Sequence, residues 1–117
     1  MEKILLTLML FGGFGALAED QLQLTQASNP IIIDVRTDAE WNEGFIETAI
    51  HIPLDGILQN IELATKNKEQ TIYLYCRSGK RSGKAEKALQ GIGYINAKNI
   101  GGMREASSTL QLKITNK

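Results

Sequence analysis

Two apolar runs stand out along a chain that is otherwise a mixture of polar and apolar positions: Ile31-Ile32-Ile33-Asp34-Val35 and Thr71-Ile72-Tyr73-Leu74-Tyr75. Both are short, continuous and rich in β-branched or aromatic residues, the pattern of strands buried on both faces in a parallel sheet. Pro30 disfavours helix at Asn29 and so marks the boundary before the first run. After each run the period changes. Asp38 to Glu43 predicts a short helical turn, with Asp38 as N-cap and Gly44 as its stop. Ala49-Ile50-His51-Ile52 predicts a short strand closed by Pro53. Ile57, Leu58, Ile61 and Ala64 predict an amphipathic helix over 54–65. Ala85, Ala88, Leu89 and Ile92 recur at i, i+3, i+4, i+7 and predict a helix from about Ser82 to Ile92, stopped by Gly91 and Gly93. Ala97 to Ile100 reads as a further strand, Gly101-Gly102 as a turn and 103–109 as a short helix, while the tail from Gln111 alternates without a clear state. Strands alternating with helices predict an α/β fold, a mostly parallel central sheet with helices on both faces. Such sheets bind ligands at the carboxyl ends of their strands.

The first residues follow a different pattern. Met1-Glu2-Lys3 precedes an apolar stretch, Ile4 to Phe14, and Ala16-Leu17-Ala18 fits the small-x-small cleavage pattern before Glu19. This predicts a signal peptide over 1–18 and an exported domain over 19–117, with the periplasm as its setting. The stretch falls short of the roughly 20 residues that a membrane span needs, so no stable membrane anchor is expected after cleavage. Residues 19–29 read as a short helix ending at Asn29-Pro30. The 117 residues allow one small domain. Thirteen basic and thirteen acidic side chains cancel, and nothing in that balance suggests a nucleic-acid partner.

The chemistry concentrates where the second apolar run ends. Cys76 is the only cysteine, so no internal disulfide can form, and a lone thiol in an oxidising compartment is a liability unless it has a task. It opens a tight loop, Cys76-Arg77-Ser78-Gly79-Lys80-Arg81, between a strand and a helix N-terminus. Backbone N–H groups converge at such a loop and the helix dipole adds partial positive charge. Arg77, Lys80 and Arg81 add three cations. A thiolate there is expected to have a lowered pKa and to be nucleophilic, with a small anion as its ligand. The charged surroundings argue against burial in an apolar core. Ser82 is the expected N-cap of the following helix, Gly79 the residue that permits a tight backbone, and Ser78 a loop hydroxyl. Asp34 and Arg36 read as structural ion-pair partners, with Glu40 as a further partner for Arg36. His51, the only histidine, and Trp41 read as structural.

Three motifs in order resemble the single-domain rhodanese family. The first is Asp34-Val35-Arg36 followed by Glu40-Trp41, Gly44, Ile46, Ala49 and Ile52-Pro53. The second is the Cys76 loop, similar to the family's cysteine-arginine-x-glycine-x-arginine/threonine pattern. The third is Asn99-Ile100-Gly101-Gly102, similar to its glycine pair after the last strand. The resemblance spans about residues 22–106, and with the export signal it is most similar to small periplasmic rhodaneses of the phage-shock type. Phe45, Glu47-Thr48 and Ala106 depart from the pattern at positions that bear on packing. The resemblance implies a thiosulfate sulfurtransferase: Cys76 takes a sulfane sulfur from a small anionic donor and passes it, as a persulfide, to a thiophilic acceptor such as cyanide or a thiol. Arg77, Ser78, Gly79, Lys80 and Arg81 would bind the donor, with Asp34, Arg36, Glu40, Ser82, Gly101 and Gly102 in support. No metal or organic cofactor is implied. Cysteine phosphatases place arginine six residues after the cysteine, where this chain has Ser82, and the shorter loop suits sulfur better than tetrahedral phosphate. A persulfide carrier serving one protein partner shares these residues. A non-catalytic interaction module usually lacks the cysteine.

Overall fold

A computed structural model of the protein describes residues 29–116. The signal peptide expected over 1–18 and the short helix expected over 19–29 lie outside the described residues, apart from Asn29 itself. Ten elements follow: β1 (Ile31–Asp34), α1 (Asp38–Glu43), β2 (Phe45–Ile46), β3 (Ile50–His51), α2 (Ile57–Ala64), β4 (Ile72–Cys76), α3 (Lys80–Gly91), β5 (Ala97–Gly102), α4 (Met103–Leu110) and β6 (Ile114–Thr115). Among them no helix is long and apolar enough to cross a membrane.

The main sheet has the order β3-β1-β4-β5, and every pairing in it is parallel. The two strongest apolar runs form its centre, with Ile33 opposite Leu74 and Ile32 opposite Tyr73. Neighbouring residues point to opposite faces, and each face has its own core. Ile33, Leu74, Ile57, Ile61, Ala85 and Leu89 pack together where α2 and α3 cover one side. Ile32, Ile46, Tyr75 and Ala106 pack on the other, beneath α4. This is the expected architecture of a parallel sheet clothed on both faces.

Several boundaries differ from the sequence expectations, each for a local reason. Thr37, not Asp38, caps α1: its hydroxyl accepts from the Glu40 N–H at 3.2 Å, and the Glu40 carboxylate accepts from the Thr37 N–H at 3.0 Å, a reciprocal capping box. The amphipathic stretch after Pro53 opens with one 3-10 turn, Leu54–Gly56, before α2 begins. The strand expected over 49–52 is reduced to Ile50–His51. The tail is not loose: β6 pairs antiparallel with β2, Phe45 opposite Thr115 and Ile46 opposite Ile114. Ala106 is fully buried, so a small side chain lets α4 sit close to Ile32, Ile46 and Tyr75.

Gly101-Gly102 is also not a free turn. Leu74 pairs with Asn99 but Cys76 pairs with Gly102, so β5 carries one extra residue and bulges. Gly101 takes the bend with φ +97°, where a side chain is strained. The bulge swings the end of β5 under the Cys76 loop. A Cβ on Gly102 would come within 2.5 Å of the Arg77 carbonyl oxygen, so only glycine allows the two backbones to lie that close.

Candidate active site

Cys76 is the last residue of β4 and inherits the strand's burial; it is buried and packs with Val35, Leu74 and Ala85. The expectation that charged neighbours keep it out of the core is corrected here. The charges lie on the loop that leaves the strand, whereas the cysteine still belongs to the sheet. Its sulfur is not left apolar. The Gly79 N–H donates to Sγ at 3.0 Å, the Ser82 N–H at 3.4 Å and the Ser82 hydroxyl at 3.3 Å. The loop can curl this tightly because Gly79 takes φ +95°, with Gly101 packed against its missing side chain.

The start of α3 explains the cradle. The helix begins at Lys80, with Gly79 in the cap position. Ser82 is therefore inside the first turn rather than the cap that its residue type suggests. There its N–H is one of the donors that a helix N-terminus leaves unpaired, and the sulfur takes it. Burial acts to raise the Cys76 thiol. The hydrogen bonds from the Ser82 hydroxyl and N–H, and from the Ser78 and Gly79 N–H groups, outweigh it and bring the thiol below its ordinary range.

Ser82 is fully buried, and its hydroxyl also lies 2.7 Å from Asn99 Oδ1. One proton serves two acceptors. With the thiol protonated, S–H can donate to Ser82 Oγ while the hydroxyl donates to Asn99. With the thiol ionised, the hydroxyl can donate to sulfur instead. Asn99 in turn donates from Nδ2 to the Gly79 carbonyl at 2.9 Å and accepts from the Gly101 N–H at 2.9 Å, so it ties the loop to the bulge. Asn99 stands in the third sequence motif, which assigns it no role. The one signal available was a polar residue inside a short strand next to two glycines. Ser82→Ala is expected to shift the pH profile of Cys76 alkylation to higher pH and to slow alkylation at pH 7 on the order of 10-fold, as one hydrogen bond to a charged group is lost. An unchanged profile would mean that the hydroxyl stays on Asn99.

The flanking charges sort differently from expectation. Glu40 does not pair with Arg36. Its two carboxylate oxygens accept from Arg81 Nη1 at 2.7 Å and Nη2 at 2.9 Å, a bidentate pair across 41 residues of sequence. Those bonds to Arg81, against a smaller opposing effect of burial, and with help from Thr37, hold Glu40 at about 2, well below the usual carboxylate range. Arg81 thus locks the first turn of α3 onto α1. Arg77 lies 3.8 Å from the same carboxylate, with its side chain 78% exposed, and Lys80 is exposed. These two cations face solvent at the loop mouth. Arg36 pairs with Asp34 as anticipated. The fully buried Asp34 carboxylate accepts from the Arg36 N–H, Nε and Nη2 between 2.7 and 3.0 Å, and Nη2 also donates to the Gly44 carbonyl at 2.6 Å. This pair anchors the β1–α1 turn beside the loop. His51 is engaged elsewhere: its Nε2 lies 2.8 Å from the Arg36 carbonyl oxygen, and its ring stacks on Trp41, which stacks on Phe45.

Comparison with known proteins places the chain in a family. The family model described as rhodanese-like domain matches residues 17–109. The thiosulfate sulfurtransferase PspE of Escherichia coli is 34% identical over 73 residues, covering 62% of this chain and 70% of that protein. A sulfurtransferase of Allochromatium vinosum is 32% identical over 80 residues, covering 68% of this chain and 73% of that one. Among solved structures, a rhodanese with anions from E. coli superposes with a TM-score of 0.68 at 28% identity, covering 75% of this chain and 99% of that one.

Proposed function

Because this chain belongs to the rhodanese-like domain family, we propose that it is a thiosulfate sulfurtransferase working through a persulfide on Cys76. The observation that carries this reading is the sulfur cradle at the end of β4, where one hydroxyl and two N–H groups meet Sγ at 3.0–3.4 Å at a helix N-terminus. The Cys76 thiolate attacks the outer sulfur of thiosulfate. The S–S bond of the donor breaks, sulfite leaves with the electron pair, and Cys76 carries the sulfane sulfur as a persulfide anion. A thiophilic acceptor, cyanide or a thiol, attacks that outer sulfur and returns Cys76 as the thiolate. Two half-reactions through one covalent intermediate give ping-pong kinetics, and parallel double-reciprocal lines test it. Intersecting lines would point to direct transfer within a ternary complex.

Arg77 and Lys80 draw in the dianionic donor and offset the charge of departing sulfite. Arg81, neutralised by Glu40, chiefly holds the loop. Arg77→Ala or Lys80→Ala is expected to lower kcat/KM for thiosulfate about 10-fold, toward the low end for a charge-assisted contact because these side chains are exposed and screened. Use of an uncharged persulfide donor should fall much less. Equal losses with both donors would mean that the cations shape the loop rather than recognise the anion.

The N-terminal pattern supports export, with cleavage after Ala18 and the domain released into the periplasm. N-terminal sequencing of the protein from a periplasmic fraction is expected to begin at Glu19. Met1 as the first residue there would contradict it.

A further inference from the structure

A pocket of about 440 Å³ opens beside the Cys76 loop, between Gly44 on one side and Gly102 with Arg77 on the other. Its size falls within the range of small-molecule sites. Gly102 is the residue paired with Cys76, and Arg77 follows Cys76 in sequence, so the pocket abuts the reacting end of β4.

The charged groups that line it divide into engaged and available. Glu40 is taken by Arg81, and Glu105 accepts from the Gly102 N–H at 3.0 Å as the cap of α4. Arg36 lines the pocket with a side chain only 6% exposed. Its Nε and Nη2 are used by Asp34 and Gly44, while Nη1 has no hydrogen-bond partner among the described residues. A guanidinium presents its donors along fixed edges, and the edge left over is available to an oxyanion. Exposed Arg104 and exposed Glu43 also line the pocket, and their side chains make no hydrogen bond or ion pair among the described residues. The available set is therefore the accessible edge of an otherwise buried arginine and the exposed Arg104, with the Glu43 carboxylate nearby. Arg77, 3.8 Å from Glu40, is the cation assigned above to the donor.

We propose that this pocket is the acceptor subsite and takes a small amino-acid-type thiol. The acceptor's carboxylate meets Arg36 Nη1 and Arg104, and its ammonium meets Glu43. The inference rests on the persulfide reading of Cys76 and names the acceptor class for it. In the transfer step the acceptor thiolate attacks the outer sulfur of the Cys76 persulfide. A new S–S bond forms on the acceptor, the bond between the two sulfurs on Cys76 breaks, and its electron pair stays on Cys76 as the thiolate. No oxidant or reductant is needed. Two anions must approach each other in this step, and cations beside the loop offset their repulsion.

The test uses full-length protein loaded with thiosulfate and freed of donor. Discharge is followed by intact mass with L-cysteine, 3-mercaptopropionate, cysteamine and 2-mercaptoethanol, compared at equal thiolate concentration. Cysteine is expected to half-saturate at the lowest concentration, roughly 5- to 10-fold below 2-mercaptoethanol, the scale of partly exposed charge contacts. Arg104→Ala should raise the half-saturating concentration of cysteine and 3-mercaptopropionate about 5-fold more than that of 2-mercaptoethanol. Glu43→Gln should affect cysteine and cysteamine more than 3-mercaptopropionate. Equal half-saturation for all four thiols, or equal effects of Arg104→Ala on all four, would overturn the subsite while leaving sulfur transfer standing. Failure of thiosulfate to load the wild type would remove the persulfide reading, and the subsite with it.

Discussion

Cys76→Ser is expected to lower sulfur transfer from thiosulfate by roughly 10³-fold or more, to background, as removal of a catalytic nucleophile does. A hydroxyl is a far weaker nucleophile than a thiolate near neutral pH, and the donors that lower the thiol, Ser82 and the Ser78 and Gly79 N–H groups, do not bring a serine hydroxyl into that range. The fold should survive, because the same Gly79 and Ser82 donors can bond an oxygen in place of the sulfur. Turnover assays and thermal unfolding of the variant together check this. Retained turnover would place the nucleophile elsewhere; lost turnover with lost folding would assign the effect to the core, since Cys76 packs against Val35 and Ala85.

The largest effect on stability is expected from Asp34→Ala. Asp34 is fully buried and takes several hydrogen bonds from Arg36, itself 5% exposed. Removing one partner leaves a buried cation without its counter-charge, a change that costs about 3–5 kcal/mol. In a domain of this size that is a large share of total stability. Chemical denaturation should show a lower midpoint with an unchanged slope. The pair Asp34→Ala with Arg36→Met should recover much of the loss, because the stranded charge goes as well. A drop of less than about 1 kcal/mol in the single variant would mean that water or a rearranged Glu40 reaches Arg36.

What could be read in advance follows from the range of the forces involved. The two central strands declared themselves because Ile31–Asp34 and Ile72–Cys76 are covered on both faces, which writes a continuous apolar run. The Cys76 loop was legible because strand, cysteine, glycine and helix follow one another locally. The partner of Glu40 was not, since several cations compete for one carboxylate, and only the placement of α3 against α1 selects Arg81 over Arg36. Ser82 lies inside the helix for a related reason. Its residue type favours a cap, but the cap is set by where the chain turns, and the left-handed Gly79 turns it three residues earlier. β2 and β6 are two residues each and too short to carry a period. The role of Asn99 depends on a bulge, Leu74 to Asn99 and then Cys76 to Gly102, which no local pattern announces.

The central claim is that Cys76 carries the sulfur. Intact-mass analysis of the purified protein after brief incubation with thiosulfate tests it most directly. The wild type should gain one sulfur, about 32 mass units, removable by cyanide or a thiol, as expected for a reversible persulfide, and Cys76→Ser should gain none. No gain on the wild type, or the same gain on the serine variant, would contradict the account.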